Sequence, residues 1–250
     1  MTHKPWTRDE VLIAFNLYCQ TPFGRLHARN PEIVRVAALM NRTPGALAMK
    51  CCNLAALDSS LPQRGLSKVS SLDRTLWEEF QHNQEKIAFQ SEMAVANLTG
   101  SKPRMTDSLE WESRQGIERT VATKVRVNQH FFRSMVLAGY REACAVCSIP
   151  VPSLLVASHI VPWALDPANR MNPRNGLCLC CLHDRAFDKG ILHIGQDYVV
   201  RITGKVQKWR TIESVQQALL RHEGQSLHLP DRWLPDKVLL SRHAEQLGLS

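Results

Sequence analysis

Apolar positions in the first third of the chain recur at helical spacing. Thr7 followed three residues later by Glu10 is a capping box, and Val11, Phe15 and Tyr18 then share one helical face. Asn30 and Pro31 read as the N-cap and first position of a second helix, with Ile33, Val36 and Met40 on one side. The break "NRTP" leads to a third helix, capped by Thr43 and opened by Pro44, that turns Leu47, Cys51 and Leu54 inward. "LDSSLPQRGLSKVSSLD" is a loop rich in Ser, Pro and Gly, after which Asp73 to roughly Met93 resumes a helix. Residues 99–116 are polar and aperiodic. From Thr120 the stretch "TVATKVRVNQHFFRSMVLAGYREACAVC" predicts a strand-like run, then a helix ending at a Cys-x-x-Cys. Short apolar strands and turns alternate up to Gly190. A strand pair over "ILHIGQDYVVRIT" and a last helix over "DKVLLSRHAEQLG" complete the pattern. The expectation is an α+β chain: a helical domain over 1–98, a linker over 99–119, and a mixed domain with a C-terminal extension over 120–250.

Composition narrows what such a chain can do. With 250 residues, 44% of them apolar, it can bury a sizeable core in one or two domains. No apolar run approaches bilayer length and "MTHKPWTRDE" carries no signal-peptide pattern, so a cytoplasmic protein without a membrane partner is expected. A formal charge of +8 favours an anionic partner, nucleic acid first. Eight cysteines in that setting argue against a disulfide framework. Cys19, Cys51 and Cys52 sit in helical patterns and read as small buried hydrophobes. Helix, tight turn, helix, with Arg42, Thr43 and Lys50 around the second start, resembles a helix-turn-helix, and "WTRDE" is similar to Myb-like modules. That resemblance implies nucleic-acid contacts from Arg42 and Lys50; the alternative is a plain three-helix bundle.

The remaining cysteines, Cys144, Cys147, Cys178, Cys180 and Cys181, cluster around "NPRNGLCLCCLHDRAFDKG". Just upstream, "LLVASHIVPW" places His159 at the end of an apolar strand. Asn175 follows in the turn "NPRNG", then the strand "LCL", then His183 on a short helix that Gly190 terminates. Strand, turn, strand, helix with His, Asn and His in that order resembles an HNH endonuclease of the bacterial type related to restriction enzymes. The resemblance extends over residues 120–243.

It implies a ββα-metal fold that hydrolyses phosphodiesters of DNA, double-stranded DNA first, in restriction or antiphage defence. His159 would be the general base, since a neutral imidazole can take a proton from water at physiological pH. Asn175 would fix the hairpin and orient His159, and His183 would be the metal ligand. Many members carry Asp or His before the base histidine, where this chain has Ser158. Either the ion has fewer protein ligands and more water, or a helix carboxylate fills in, with Asp184 beside His183 and Asp188 one turn on both able to face the site. Asp188 reads equally as a cap or an ion-pair partner of Arg185 and Lys189. Mg²⁺ or Mn²⁺ suits such an oxygen-rich site. Arg126, Arg133 and Arg170 offer guanidinium forks for phosphates, against a default of plain surface charge.

The cysteines allow two registers. Cys144-x-x-Cys147 with Cys178-x-x-Cys181 has the spacing of a four-cysteine structural Zn²⁺ site. Strand alternation, however, points Cys178 and Cys180 one way and Cys181 the other. Cys180 with His183 is the competing pair, and it would take His183 out of catalysis. A rival reading of the whole chain is a non-catalytic, zinc-containing nucleic-acid-binding protein. His159, Asn175 and His183 together favour the enzyme; Ser158 favours the rival. A homodimer is compatible with either.

Overall fold

The computed structural model describes residues 4–61, 69–106 and 119–249, apart from the side chains of 119–122. It divides into two compact units, Met1–Ala138 and Gly139–Ser250. Residues 107–118 of the expected linker and 62–68 of the expected loop lie outside the described residues. Among the described residues, no helix is long and apolar enough to cross a membrane.

The first unit is helical, and its helices begin where the caps said they would. Thr7 and Glu10 form the reciprocal capping box of α1, Arg8–Gln20. Asn30 accepts from the Glu32 and Ile33 N–H groups at the start of α2, Pro31–Leu39. Thr43 accepts from the Ala46 N–H at the start of α3, Pro44–Ala55. The faces expected to turn inward do so, from Val11 and Phe15 through Ile33 and Val36 to Leu47 and Leu54. Phe15 is a centre of this core, with Trp77 and Phe80 edge-on and Phe131 stacked against it.

Two expectations change. The helix from Asp73 is two helices, α4 (Ser71–His82) and α5 (Gln84–Thr99). Asn83, at φ −148° and ψ 79°, breaks the first, and its side chain caps the second by accepting from the Lys86 N–H. The strand-like run after Thr120 is helical throughout, as α6, Arg119–Gly139. Val125 and Val127 imitate a strand, but burial of Val127, Phe131 and Met135 at four-residue spacing selects the helix.

Arg42 and Lys50 are a further correction. The Arg42 guanidinium is 8% exposed, forks the Glu10 carboxylate at 2.9 and 2.8 Å and lies over the Trp6 ring. Lys50 is buried against Asp73 at 2.8 and 3.0 Å. Lys50 is the sole cation of α3, so this helix presents no charge to a phosphate backbone. Both cations neutralise carboxylates that packing has taken from water. Burial alone would raise the Glu10 carboxyl, but the Arg42, Thr7 and Lys4 hydrogen bonds bring it down to about 2.

In the second unit, β1 (Leu155–His159) pairs antiparallel with β2 (Gly176–Cys180), Leu155 opposite Cys180 and His159 opposite Gly176. Helix α7, Cys181–Asp188, leaves β2 without an intervening loop. Gly190 ends that turn at φ +59°, where a Cβ would also press on Leu247 and Lys205. A second hairpin follows, β3 (Leu192–Ile194) with β4 (Val200–Ile202), then α8 (Glu213–Ala218) and α9 (Lys237–Gln246). His243 of α9 stacks on Phe187 of α7 at 3.9 Å, and burial lowers its ring to about 4, which makes it a neutral core residue.

Candidate active site and metal centre

His159 ends β1, and the following loop is folded back onto it. Asn175, wholly buried, accepts from the Val161 N–H at 2.8 Å and donates to the Val161 and Asn169 carbonyls at 3.0 and 3.2 Å. Its own carbonyl accepts from the Ile160 N–H. Asn175 therefore clamps the segment that leaves β1 to the turn that enters β2. His159 Nε2 lies 3.0 Å from the Arg170 carbonyl. A carbonyl can only accept, so Nε2 carries the proton and Nδ1 keeps the lone pair. Burial lowers the His159 pKa, against the pull of that hydrogen bond. The ring meets Trp163 edge-on, centroids 5.6 Å apart at 89°.

A second group forms around His183 of α7. The Cys144, Cys147 and Cys180 sulfurs and a ring nitrogen of His183 all lie within 4.8 Å of one another. Cys144 Sγ is 3.6 Å and Cys180 Sγ 3.2 Å from His183 Nδ1, and Cys147 Sγ is 3.9 Å from Cys180 Sγ. Zn–S bonds of about 2.3 Å and Zn–N bonds of about 2.05 Å put tetrahedral ligand atoms roughly 3.5–3.8 Å apart, so this donor set fits zinc. Thiol acidity points the same way. Burial would raise the Cys144 thiol, but His183 and backbone N–H groups bring it to about 6, while burial pushes Cys147 up to about 12 and Cys180 upward as well. One thiolate is tolerated and its neighbours resist, a crowding that a dication relieves.

The knuckle is built locally. The Ser148 N–H donates to the Cys144 carbonyl, and the Cys144 N–H to that of Ile149, with Ser148 in the left-handed region at φ 59°. His183 Nε2 donates to the Ala218 carbonyl at 3.0 Å, which turns the Nδ1 lone pair to the thiols. Both ring nitrogens of His183 are thereby engaged.

The gathered set is thus Cys144, Cys147, Cys180 and His183 rather than the four-cysteine set. Cys178 is buried within β2, opposite Ala157. Cys181 is exposed, its thiol donating to the Leu154 carbonyl at 3.2 Å. Cys180 stands at the N-cap of α7, with His183 three residues on, so C-x-x-C with C-x-x-H was the spacing to weigh most heavily. The Ala218 carbonyl is a main-chain group and had no sequence signal.

Asp184 follows His183 and so points about 100° away around the helix. It is half-buried and hydrogen-bonded to Ser158, the residue before His159. Burial raises its pKa, with the Asp188 charge adding and Ser158 opposing. The three arginines separate. Arg126 donates to the Thr106 carbonyl, and Arg133 is half-buried on α6; both belong to the first unit. Arg170 lies in the loop that holds His159.

Residues 144–195 match the family model described as HNH endonuclease. The match runs from the first knuckle cysteine to just past β3 and so covers the ββα element with its thiol knuckle. No curated protein matches the chain.

Proposed function

We propose that the chain is a metal-dependent endonuclease that hydrolyses DNA phosphodiesters, double-stranded DNA first, in restriction or antiphage defence. The observation that carries this is His159, held at the end of β1 with Nε2 fixed on the Arg170 carbonyl and its basic atom at Nδ1. That tautomer suits a general base, which takes the proton of the attacking water. Asn175 holds the hairpin and, through it, the base. A cation of the Mg²⁺ or Mn²⁺ kind, held by Asp184 beside Ser158, would supply Lewis-acid stabilisation of the phosphate and of the leaving oxygen. A half-buried carboxylate beside Asp188 is a donor that a cation would relieve. His183, in this reading, is a ligand of a structural zinc with Cys144, Cys147 and Cys180, and the metal at the cleavage site rests on oxygen donors.

The test is nicking of supercoiled plasmid by purified protein with Mg²⁺, with Mn²⁺ and with chelator, for wild type and His159→Ala. Cation-dependent nicking that His159→Ala abolishes supports the proposal. Binding of DNA without cleavage under every cation would return the chain to the zinc-containing binding protein, the reading that Ser158 favours.

A further inference from the structure

Arg170 makes three connections in the candidate site. Its carbonyl accepts from His159 Nε2 at 3.0 Å, its Nε donates to the Trp163 carbonyl at 2.9 Å, and its guanidinium carbon lies 5.5 Å from the centre of the Trp163 ring. That same ring is the wall against which His159 stands. We propose that Arg170 grips a backbone phosphate of the nucleic acid beside His159, and that its peptide ties this grip to the orientation of the base.

The inference rests on the nuclease reading, and three features argue for it. The bond from Nε to the Trp163 carbonyl fixes the plane of the guanidinium and leaves the two terminal nitrogens as a fork, the geometry that matches phosphate. The carboxylate nearest in sequence, Asp166, is already held by Arg242 at 2.5 Å and by Asn169 at 3.0 Å, so it does not compete for that fork. Arg170 and His159 also share a short, cross-braced loop, in which Asn172 donates to Asn169, whose carbonyl accepts from Asn175. Displacement of the Arg170 main chain therefore displaces the acceptor of the base.

The experiment measures affinity of the full-length protein for a short DNA duplex against salt, without added Mg²⁺ or Mn²⁺, together with kcat and KM for cleavage once the cation is added. Variants are Arg170→Gln and Arg170→Lys. Loss of one phosphate contact lowers the slope of log K against log salt by about 0.9. Arg170→Gln keeps a donor for the Trp163 carbonyl but no charge, and is expected to show that loss of slope with zinc content and melting temperature unchanged. Arg170→Lys is expected to keep the slope while kcat falls tenfold or more, because one ammonium cannot replace both the fork and the Nε bond. An unchanged slope in Arg170→Gln overturns the proposal. Should that variant fail to fold, wild-type kcat in Arg170→Lys overturns it instead. A wild type that binds the duplex but cuts no DNA sinks the nuclease reading alone, and the slope comparison still decides Arg170.

Discussion

His183 and Asp184 are neighbours on α7, yet they face two different kinds of chemistry. His183 is fully enclosed, with Nδ1 among three sulfurs and Nε2 on the Ala218 carbonyl. Asp184 is half-open and meets Ser158 at the end of the strand that carries His159. Soft donors without an open position suit a resident ion that holds a fold together. A carboxylate with a hydroxyl and access to water suits a cation that exchanges. One turn of helix can therefore serve both, because successive residues point about 100° apart. The difference teaches that what the second nitrogen of a histidine and its neighbours do separates a structural ligand from a catalytic one.

The largest effect should come from the enclosed side. Protein as purified should hold about one zinc per chain, and Cys144→Ser or His183→Ala should release it and remove most of the cooperative thermal unfolding of the second unit. Structural zinc of this kind contributes on the order of 10 kcal/mol to folding. Metal analysis and calorimetry measure both. A His183→Ala protein that keeps its zinc and melting temperature but loses cleavage would reverse the comparison and return His183 to catalysis.

On the open side, His159→Ala should lower cleavage by about 10²- to 10⁴-fold while zinc content stays at the wild-type level. Zinc lost together with activity would mean that the two faces are not independent. A smaller effect tests the cations of the first unit. Lys50→Ala strands Asp73 in the core and should cost about 3 kcal/mol in denaturant unfolding, with no change in the salt dependence of DNA binding. A flattened salt slope in a stable Lys50→Ala protein would restore this residue as a phosphate contact.

The smallest effect is a shift along the pH axis. A general base must be neutral, and burial lowers the His159 pKa, so the neutral form persists to lower pH than for a free imidazole. The midpoint of the acidic limb of activity should therefore lie below the ordinary imidazole value of about 6.5. A pH–rate profile whose acidic limb lies above that value would assign the base to another group.

The order strand, turn, strand, helix was legible from sequence because each part is local. The hydrophobic run ends at His159, the turn is written in "NPRNG", and Gly190 stops α7. The helix starts of the first unit were legible for the same reason, as Thr7, Asn30 and Thr43 each bond to an N–H within three residues. Local rules failed where a residue's partner is remote in the chain. Val125 and Val127 have strand-like side chains, but α6 forms because its apolar face packs in a helical core. Arg42 finds Glu10 across 32 residues and Lys50 finds Asp73 across 23, so neither pairing could be read from the turn that made them look like DNA contacts.

The sequence by itself determined that a set of thiol and imidazole donors is present and that a histidine closes the first strand, since residue types and short spacings suffice for that. Which cysteines join was decided only by the tertiary structure. Cys178, Cys180 and Cys181 are near neighbours in the chain, and their choice depends on how the end of β2 meets a knuckle over 30 residues upstream. The placing of the His183 ring was decided the same way, by a carbonyl 35 residues downstream that occupies one nitrogen and turns the other to sulfur. Ligand geometry is a property of where backbones converge, and convergence is not written in any one segment.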